Sequence, residues 1–192
     1  SVIARQPAFI VAVLAGALSY GAMVLVMTAT PLAMGASGFV FTDSATVIQW
    51  HVLAMFGPSF FTGTLIQRFG VLTIILVGTV LMFLALMIDL AGVGFMNFWS
   101  ALVLVGLGWN FMFVGGSTLL TSAYTIEERA KVQAANDFTV FSTSALAAFG
   151  SGALLTNFGW QGVNTGVAPA MAIALVAVIW LMFIERRSMA KT

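Results

Sequence analysis

Residues 57–70 read GPSFFTGTLIQRFG, and how this stretch is read decides the fold. It begins apolar, passes Gly63, and ends abruptly in Gln67-Arg68-Phe69-Gly70 before a second long apolar run starts at Val71. A connection that short between two hydrophobic segments leaves no room for a soluble insert. It predicts a tight hairpin between two membrane-spanning helices. Arg68 is then held at the membrane surface, where its guanidinium stays in water while its stem lies along apolar surface.

The whole composition agrees with that hairpin. The chain is 61% hydrophobic and 7% charged, with a mean hydropathy of +1.09. Soluble domains carry roughly a quarter charged residues, so this chain cannot cover a water-facing surface and reads as an integral all-α membrane protein. The absence of cysteine excludes disulfides, thiolate metal ligands and cysteine nucleophiles together. A net charge of +1 gives no footprint for nucleic acid. Ser1 opens the sequence and Pro7 leads straight into a long apolar run, with no short apolar region followed by a cleavage site. The chain is expected to be a piece of something longer.

A bilayer core of about 30 Å needs about 20 apolar residues per helix. Six segments qualify, over residues 8–34, 44–67, 71–90, 96–122, 132–156 and 163–184, in a single transmembrane unit spanning 1–192. Backbone polar groups must be satisfied inside lipid, so continuous apolar runs of this length are helices rather than strands. All 7 basic residues then fall at one side of the membrane. Arg5 precedes the first segment, Arg68 separates the second and third, and Arg129 and Lys131 separate the fourth and fifth. Arg186, Arg187 and Lys191 follow the sixth. The positive-inside rule makes that side cytoplasmic and places both termini there. Asp43 and Asp89 fall at the opposite surface, where they are expected to be solvated.

The segments differ in polarity. The third and sixth are nearly free of polar groups, whereas the other four carry Tyr20, Thr28, His51, Ser59, Trp109, Asn110, Asp137 and Ser144. Polar side chains are costly against lipid, so the third and sixth segments are expected to face lipid and the other four an interior or a partner.

Within 57–70, Gly63, Leu65, Arg68 and Gly70 match, at the same spacing, the loop signature G-x-L-x-D-R-x-G-[RK]-[RK] of major facilitator superfamily transporters. Gln67 stands where the signature has Asp, and Val71-Leu72 replace its basic pair. TATPLAM at 28–34, HVLAMFGPSFFTG at 51–63, EERAKVQAANDF at 127–138 and GALLTNFGWQGVN at 152–164 also resemble the C-terminal half of a bacterial member. The resemblance implies a six-helix half built from two inverted three-helix repeats, in a bacterial inner membrane. It further implies a partner, either an N-terminal half or a second copy of this chain. The first, second, fourth and fifth helices would line a cavity for a small organic solute.

Residues step by about 100° around a helix, and this spacing aligns four polar or aromatic stripes. They are Gly16, Tyr20, Met27 and Pro31; His51, Met55, Ser59 and Thr62; Trp99, Gly106, Asn110, Ser117 and Thr121; and Gln133, Asp137, Ser144 and Ser151. Tyr20, His51, Asn110 and Ser144 are the candidate solute contacts. The competing reading is that these stripes let helices pack closely and hydrogen-bond to one another. His51, the single histidine, suits a proton relay or a solute hydrogen bond; equally, it can be a neutral imidazole tied to a neighbouring carbonyl. No second His, Cys or clustered carboxylate accompanies it, so no metal or other cofactor is expected.

Asp137 is an intramembrane carboxylate, a functional candidate by default, although the nearby helix N-terminus also favours a negative charge there. In the superfamily this region faces the loop that would carry Arg68 in the opposite half, so Arg68 and Asp137 are candidate gate residues. A proton is the candidate coupling ion. Pro58 removes a backbone donor inside the second segment and predicts a kink. The tetrapeptide Gly35-Ala36-Ser37-Gly38 matches the G-x-S-G of intramembrane serine proteases, but no histidine base is placed beside Ser37. Asn-Pro-Ala half-helices of a water channel are absent from the sequence. A membrane scaffold without transport is the remaining alternative.

Overall fold

The computed structural model of the chain describes the backbone of residues 6–189 and the side chains to residue 187; Arg5 and Lys191 lie outside the described residues. Every described element is an α-helix: α1 (Pro7–Ala36), α2 (Phe41–Phe56), α3 (Ser59–Phe69), α4 (Val71–Ala91), α5 (Phe95–Thr121) and α6 (Arg129–Met189). Four of them, α1, α4, α5 and the stretch Arg129–Arg187 of α6, are long and apolar enough to cross a membrane.

The boundaries follow local chemistry. Pro7 stands in the first turn of α1, where its missing N–H would have had no partner in any case. Gly70 has φ +86 and turns the chain between α3 and α4, which is why the hairpin expected at 57–70 closes without a longer loop. The 16 residues of α2 and 11 of α3 were expected as one helix over 44–67; at the predicted kink the hydrogen-bond ladder is interrupted over Gly57 and Pro58, both of which keep right-handed helical dihedrals, and α2 begins three residues earlier, at Phe41. The fifth and sixth expected segments are two helical stretches that meet at Gly159 (φ 66, ψ −172) with no loop between them, and α6 denotes both.

The centre of the fold is α5, which packs against α1, α2, α3 and α4, while α6 packs against α1 and α4. Named contacts give the directions. A Cβ on Gly116 would lie 3.0 Å from the Ala12 carbonyl, and Tyr20 meets Trp109, so α1 and α5 are antiparallel. Gly78 and Gly108 face one another at the α4–α5 crossing: a Cβ on Gly78 would lie 2.8 Å from the Gly108 carbonyl and one on Gly108 2.9 Å from that of Gly78. Two glycines thus let the backbones touch, a close approach typical of helices that associate in lipid. Ile75 reaches Gly115, so α4 is antiparallel to α5 as well.

The early part of α6 follows α1, with Val140 beside Gly16 and Thr143 beside Gly21. Past Gly159 the chain returns: Leu154 meets Gly166, Trp160 packs 5.1 Å from Phe98, and Met182, Glu185 and Arg186 share a groove with Gly70–Thr73. One end of the molecule therefore gathers Arg68, Arg129, Lys131, Arg186 and Arg187, and the other Asp43 and Asp89.

The core lies along α1 and α5, around Phe98, Leu102, Met112, Met23 and Met34, all buried. The expected division between four interior and two outer segments holds only in part. Val77, Leu84 and Met87 of α4, and Val176, Trp180 and Phe183 of α6, are exposed, as expected for a lipid face. But Phe56, Phe60, Phe138, Phe141 and Phe149 are exposed too, because α2, α3 and the early part of α6 have neighbours on one side only. Asp89 departs from expectation: it is 1% exposed and neither carboxylate oxygen has a partner. Its position explains this, since Met82, Ala85, Leu86 and Asp89 share the buried face of α4 by helical spacing.

Candidate functional site

Where α1, α2, α5 and the early part of α6 converge, the side chains form an aromatic cluster. Tyr20 is at its middle, with ring centroids 5.5 Å from Trp109, 5.5 Å from Phe113 and 6.1 Å from Phe141, in each case edge to face. Trp109 and Phe113, one turn apart on α5, are stacked at 5.1 Å with an interplanar angle of 10°. Phe56 closes the far side, edge-on to Trp109 at 5.9 Å. Edge-to-face pairs align ring hydrogens with the negative π-face, so the cluster holds a defined geometry in an apolar setting. Trp109 is buried and its indole Nε1 has no hydrogen-bond partner. Phe56 and Phe141 are exposed, so the cluster opens onto the uncovered face.

Of the sequence candidates, Tyr20 lies within this cluster and is half-buried. Ser144 is half-buried on the early part of α6, one residue beyond Thr143, which touches α1. His51 is fully buried, and its Nδ1 lies 2.7 Å from the Leu102 carbonyl of α5. A carbonyl can only accept, so Nδ1 carries the hydrogen and Nε2, which has no partner, is the free nitrogen. Of the two readings open at His51, the tie to a neighbouring carbonyl is present here.

Asn110 is 1% exposed and its amide is engaged by α2 and α3, donating from Nδ2 to the Met55 carbonyl and to Ser59 Oγ, each at 2.7 Å, and accepting from the Thr62 hydroxyl at 2.7 Å. A solute would have to break these bonds to reach it.

Arg68 ends α3, exposed, with its guanidinium carbon 5.3 Å from the Phe69 ring centroid. Asp137 is exposed near the start of α6 and accepts from Asn136 Nδ2 at 3.2 Å. Trp109 was singled out in the sequence as an interior-facing group but not as a solute contact, and Phe113, Phe56 and Phe141 were not singled out at all. The signal that could have found the first two is their spacing of one helical turn; the others are joined to them only by tertiary packing.

The sequence model of the Major Facilitator Superfamily matches residues 8–192. Among curated proteins, the chain is 48% identical over 177 residues to the riboflavin transporter RfnT of Brucella anthropi, covering 92% of this chain and 44% of that protein. It is 30% and 29% identical to the uncharacterized MFS-type transporters YddS and YdeG of Bacillus subtilis, each over 82% of this chain and 37% of theirs. The chain therefore spans less than half the length of the curated relatives it matches. No solved structure matches. With a family match over nearly its full length and apolar helices throughout, the chain belongs to the Major Facilitator Superfamily, a family of membrane transporters rather than enzymes.

Proposed function

We propose that this chain is the C-terminal six-span half of a secondary transporter that moves a small organic solute by alternating access. The six spans are α1, α2 continued by α3, α4, α5, and the two stretches of α6 on either side of Gly159. Successive spans run in opposite directions, and the first three and last three repeat with inverted sense, as in two inverted repeats. Together they form one unit over the described residues. The gathering of every described basic residue at one end supports a cytoplasmic location for that end and for both termini, in a bacterial inner membrane.

The observation that carries the reading is the aromatic cluster of Tyr20, Trp109, Phe113, Phe56 and Phe141, opening onto a face that none of the described residues covers. Exposed Phe60 of α3 and Phe138 and Phe149 of the early part of α6 fit a second six-helix unit docked on these helices. The greater length of the curated relatives favours an N-terminal half over a second copy of this chain as that unit. The name of the relative at 48% identity suggests a flat heteroaromatic solute of the riboflavin kind, and stacked aromatic side chains suit such a ring system. Tyr20 and the exposed rings provide stacking surface and Ser144 is a candidate polar contact; His51, fully buried, offers Nε2 to a solute only once the packing around it opens. Arg68 and Asp137 are the candidate charges of the cytoplasmic gate, each exposed and free to meet the second unit. A proton is the candidate coupling ion.

Radiolabelled riboflavin accumulation by cells expressing the complete protein, with no other uptake route, tests the reading. Saturable uptake, or net export from loaded cells, is expected. Movement of riboflavin and of its ring analogues no faster than in cells carrying empty vector would reject the solute class.

A further inference from the structure

At the junction of α2 and α3 a backbone ladder is broken, and a side chain from another helix bridges it. Gly57 N–H closes the last turn of α2 on the Leu53 carbonyl at 2.8 Å, only a long Phe60 N–H bond of 3.4 Å to the Gly57 carbonyl bridges the junction, and α3 resumes with Phe61 and Thr62 N–H on the Pro58 carbonyl at 2.9 and 2.8 Å. Pro58 has no N–H, so the Ala54 carbonyl loses the donor that an unbroken helix would supply. In an unbroken helix the Met55 carbonyl would take the Ser59 N–H; here it takes Asn110 Nδ2 of α5 at 2.7 Å.

The same amide also reaches the far side of the break. Its second hydrogen goes to Ser59 Oγ, and its oxygen receives the Thr62 hydroxyl, each at 2.7 Å. The assignment of nitrogen and oxygen is fixed, because the Met55 carbonyl can only accept. Met55 belongs to α2, while Ser59 and Thr62 belong to α3. One buried side chain thus bonds both sides of a break in a neighbouring helix.

Two further features make α2 the fixed side. A Cβ on Gly106, one turn before Asn110, would lie 2.6 Å from the His51 carbonyl, so α5 lies flush along α2. His51 adds its own bond to Leu102 at 2.7 Å. By contrast, the buried face of α3 consists of Thr62 and Ile66, the latter in a small apolar group with Ile74 and Phe111. The Thr62 hydroxyl has a second acceptor within reach, the Pro58 carbonyl at 2.8 Å, so it keeps a hydrogen bond if it leaves Asn110.

We propose that Gly57–Pro58 is a hinge and that Asn110 is the residue that positions it. In the movement, Asn110 keeps Met55 and releases Ser59 and Thr62, and α3 swings against a stationary α2, carrying Arg68 at its end. This role is distinct from solute contact and does not depend on which solute is carried.

The chain has no cysteine, so spin labels can be placed on Thr46→Cys in α2 and Gln67→Cys in α3 of the complete protein, with any cysteines elsewhere replaced. The distance between labels is then read by pulsed electron resonance. A single narrow distribution is expected with Asn110 present and a broadened or two-component one in Asn110→Ala. Adding Pro58→Ala, which restores the backbone donor, should narrow it again. Riboflavin uptake, where present, should lose about tenfold in maximal rate with KM changed by less than about twofold. A folded Asn110→Ala protein with the unchanged narrow distribution overturns the hinge, whether or not riboflavin is carried. Should that variant fail to reach the membrane, Ser59→Ala with Thr62→Val removes both bonds on the α3 side and leaves the one to Met55, and an unchanged distribution there overturns it equally.

Discussion

His51 of α2 and Leu102 of α5 are joined by an imidazole-to-carbonyl hydrogen bond of 2.7 Å with the histidine fully buried. A buried donor of this kind is worth most through what its loss leaves behind. His51→Leu keeps the bulk and removes the bond, and it should cost about 1–3 kcal/mol. Thermal unfolding of the purified protein in detergent checks this; an unchanged midpoint would mean the bond contributes nothing net.

The crossing of α4 and α5 gives a steric prediction with an internal control. Gly78→Ala would put a methyl group 2.8 Å from both the Gly108 carbonyl and Met112 Cγ, and should destabilise by about 1–3 kcal/mol through overpacking. Gly63→Ala and Gly152→Ala meet nothing within 4 Å and sit inside helices, so each should be neutral or slightly stabilising. Equal losses at all three positions would show that the close approach is not what matters.

Trp109 is packed by three other rings, so Trp109→Ala should cost about 3–5 kcal/mol of stability. Trp109→Phe removes the unpartnered Nε1 while keeping an aromatic face. It should retain folding, and if the indole N–H meets the solute, KM for riboflavin should rise about tenfold. Uptake kinetics of the two variants, with expression matched by immunoblot, separate packing from recognition.

The gate assignment is tested by Arg68→Gln, Asp137→Asn and both together in the complete protein. Each single change should slow turnover while leaving solute binding largely intact. If the two act on one equilibrium, worth about 1–3 kcal/mol, the double variant should lose less than the combined single losses. Wild-type transport by both single variants would leave Asp137 as a helix-end charge only.

Orientation is checked by cysteine labelling with an impermeant reagent. Gly38→Cys and Phe158→Cys lie at the end opposite the basic residues and should react from outside intact cells, and Arg68→Cys only after permeabilisation. The opposite pattern would invert the assignment of the cytoplasmic face.

The helical membrane fold was legible because lipid imposes it: long apolar runs leave the backbone few options, and a hairpin as short as Gln67–Gly70 forces neighbours to be antiparallel. Pro58 announced a kink, but the side chain that takes up the Met55 carbonyl at this kink belongs to Asn110, 52 positions after Pro58 in the chain. The same distance in sequence hid the use of Asn110. A polar residue at mid-helix looks alike whether it waits for a solute or ties two helices, and only its partners decide. Asp89 was misplaced for a related reason, because closeness to a helix end suggested water, whereas its phase on α4 turns it inward. The aromatic cluster was least legible, since it draws single residues from four parts of the chain, and only the pairing of Trp109 with Phe113 is local.

Gly159 has one further consequence. A reversal made at a single residue is a joint without slack: the stretches of α6 before and after it cannot slide along one another without breaking helical bonds on one side. Pulling on one stretch therefore displaces the other by nearly the same amount, and so links α1, on which Val140 and Thr143 are seated, to the groove that Met182, Glu185 and Arg186 share with Gly70–Thr73. The connection from Ser122 to Glu128 has seven residues between helices and can absorb strain. A short peptide inserted after Thr125 should be tolerated, whereas the same insertion after Phe158 should uncouple the two stretches and abolish assembly.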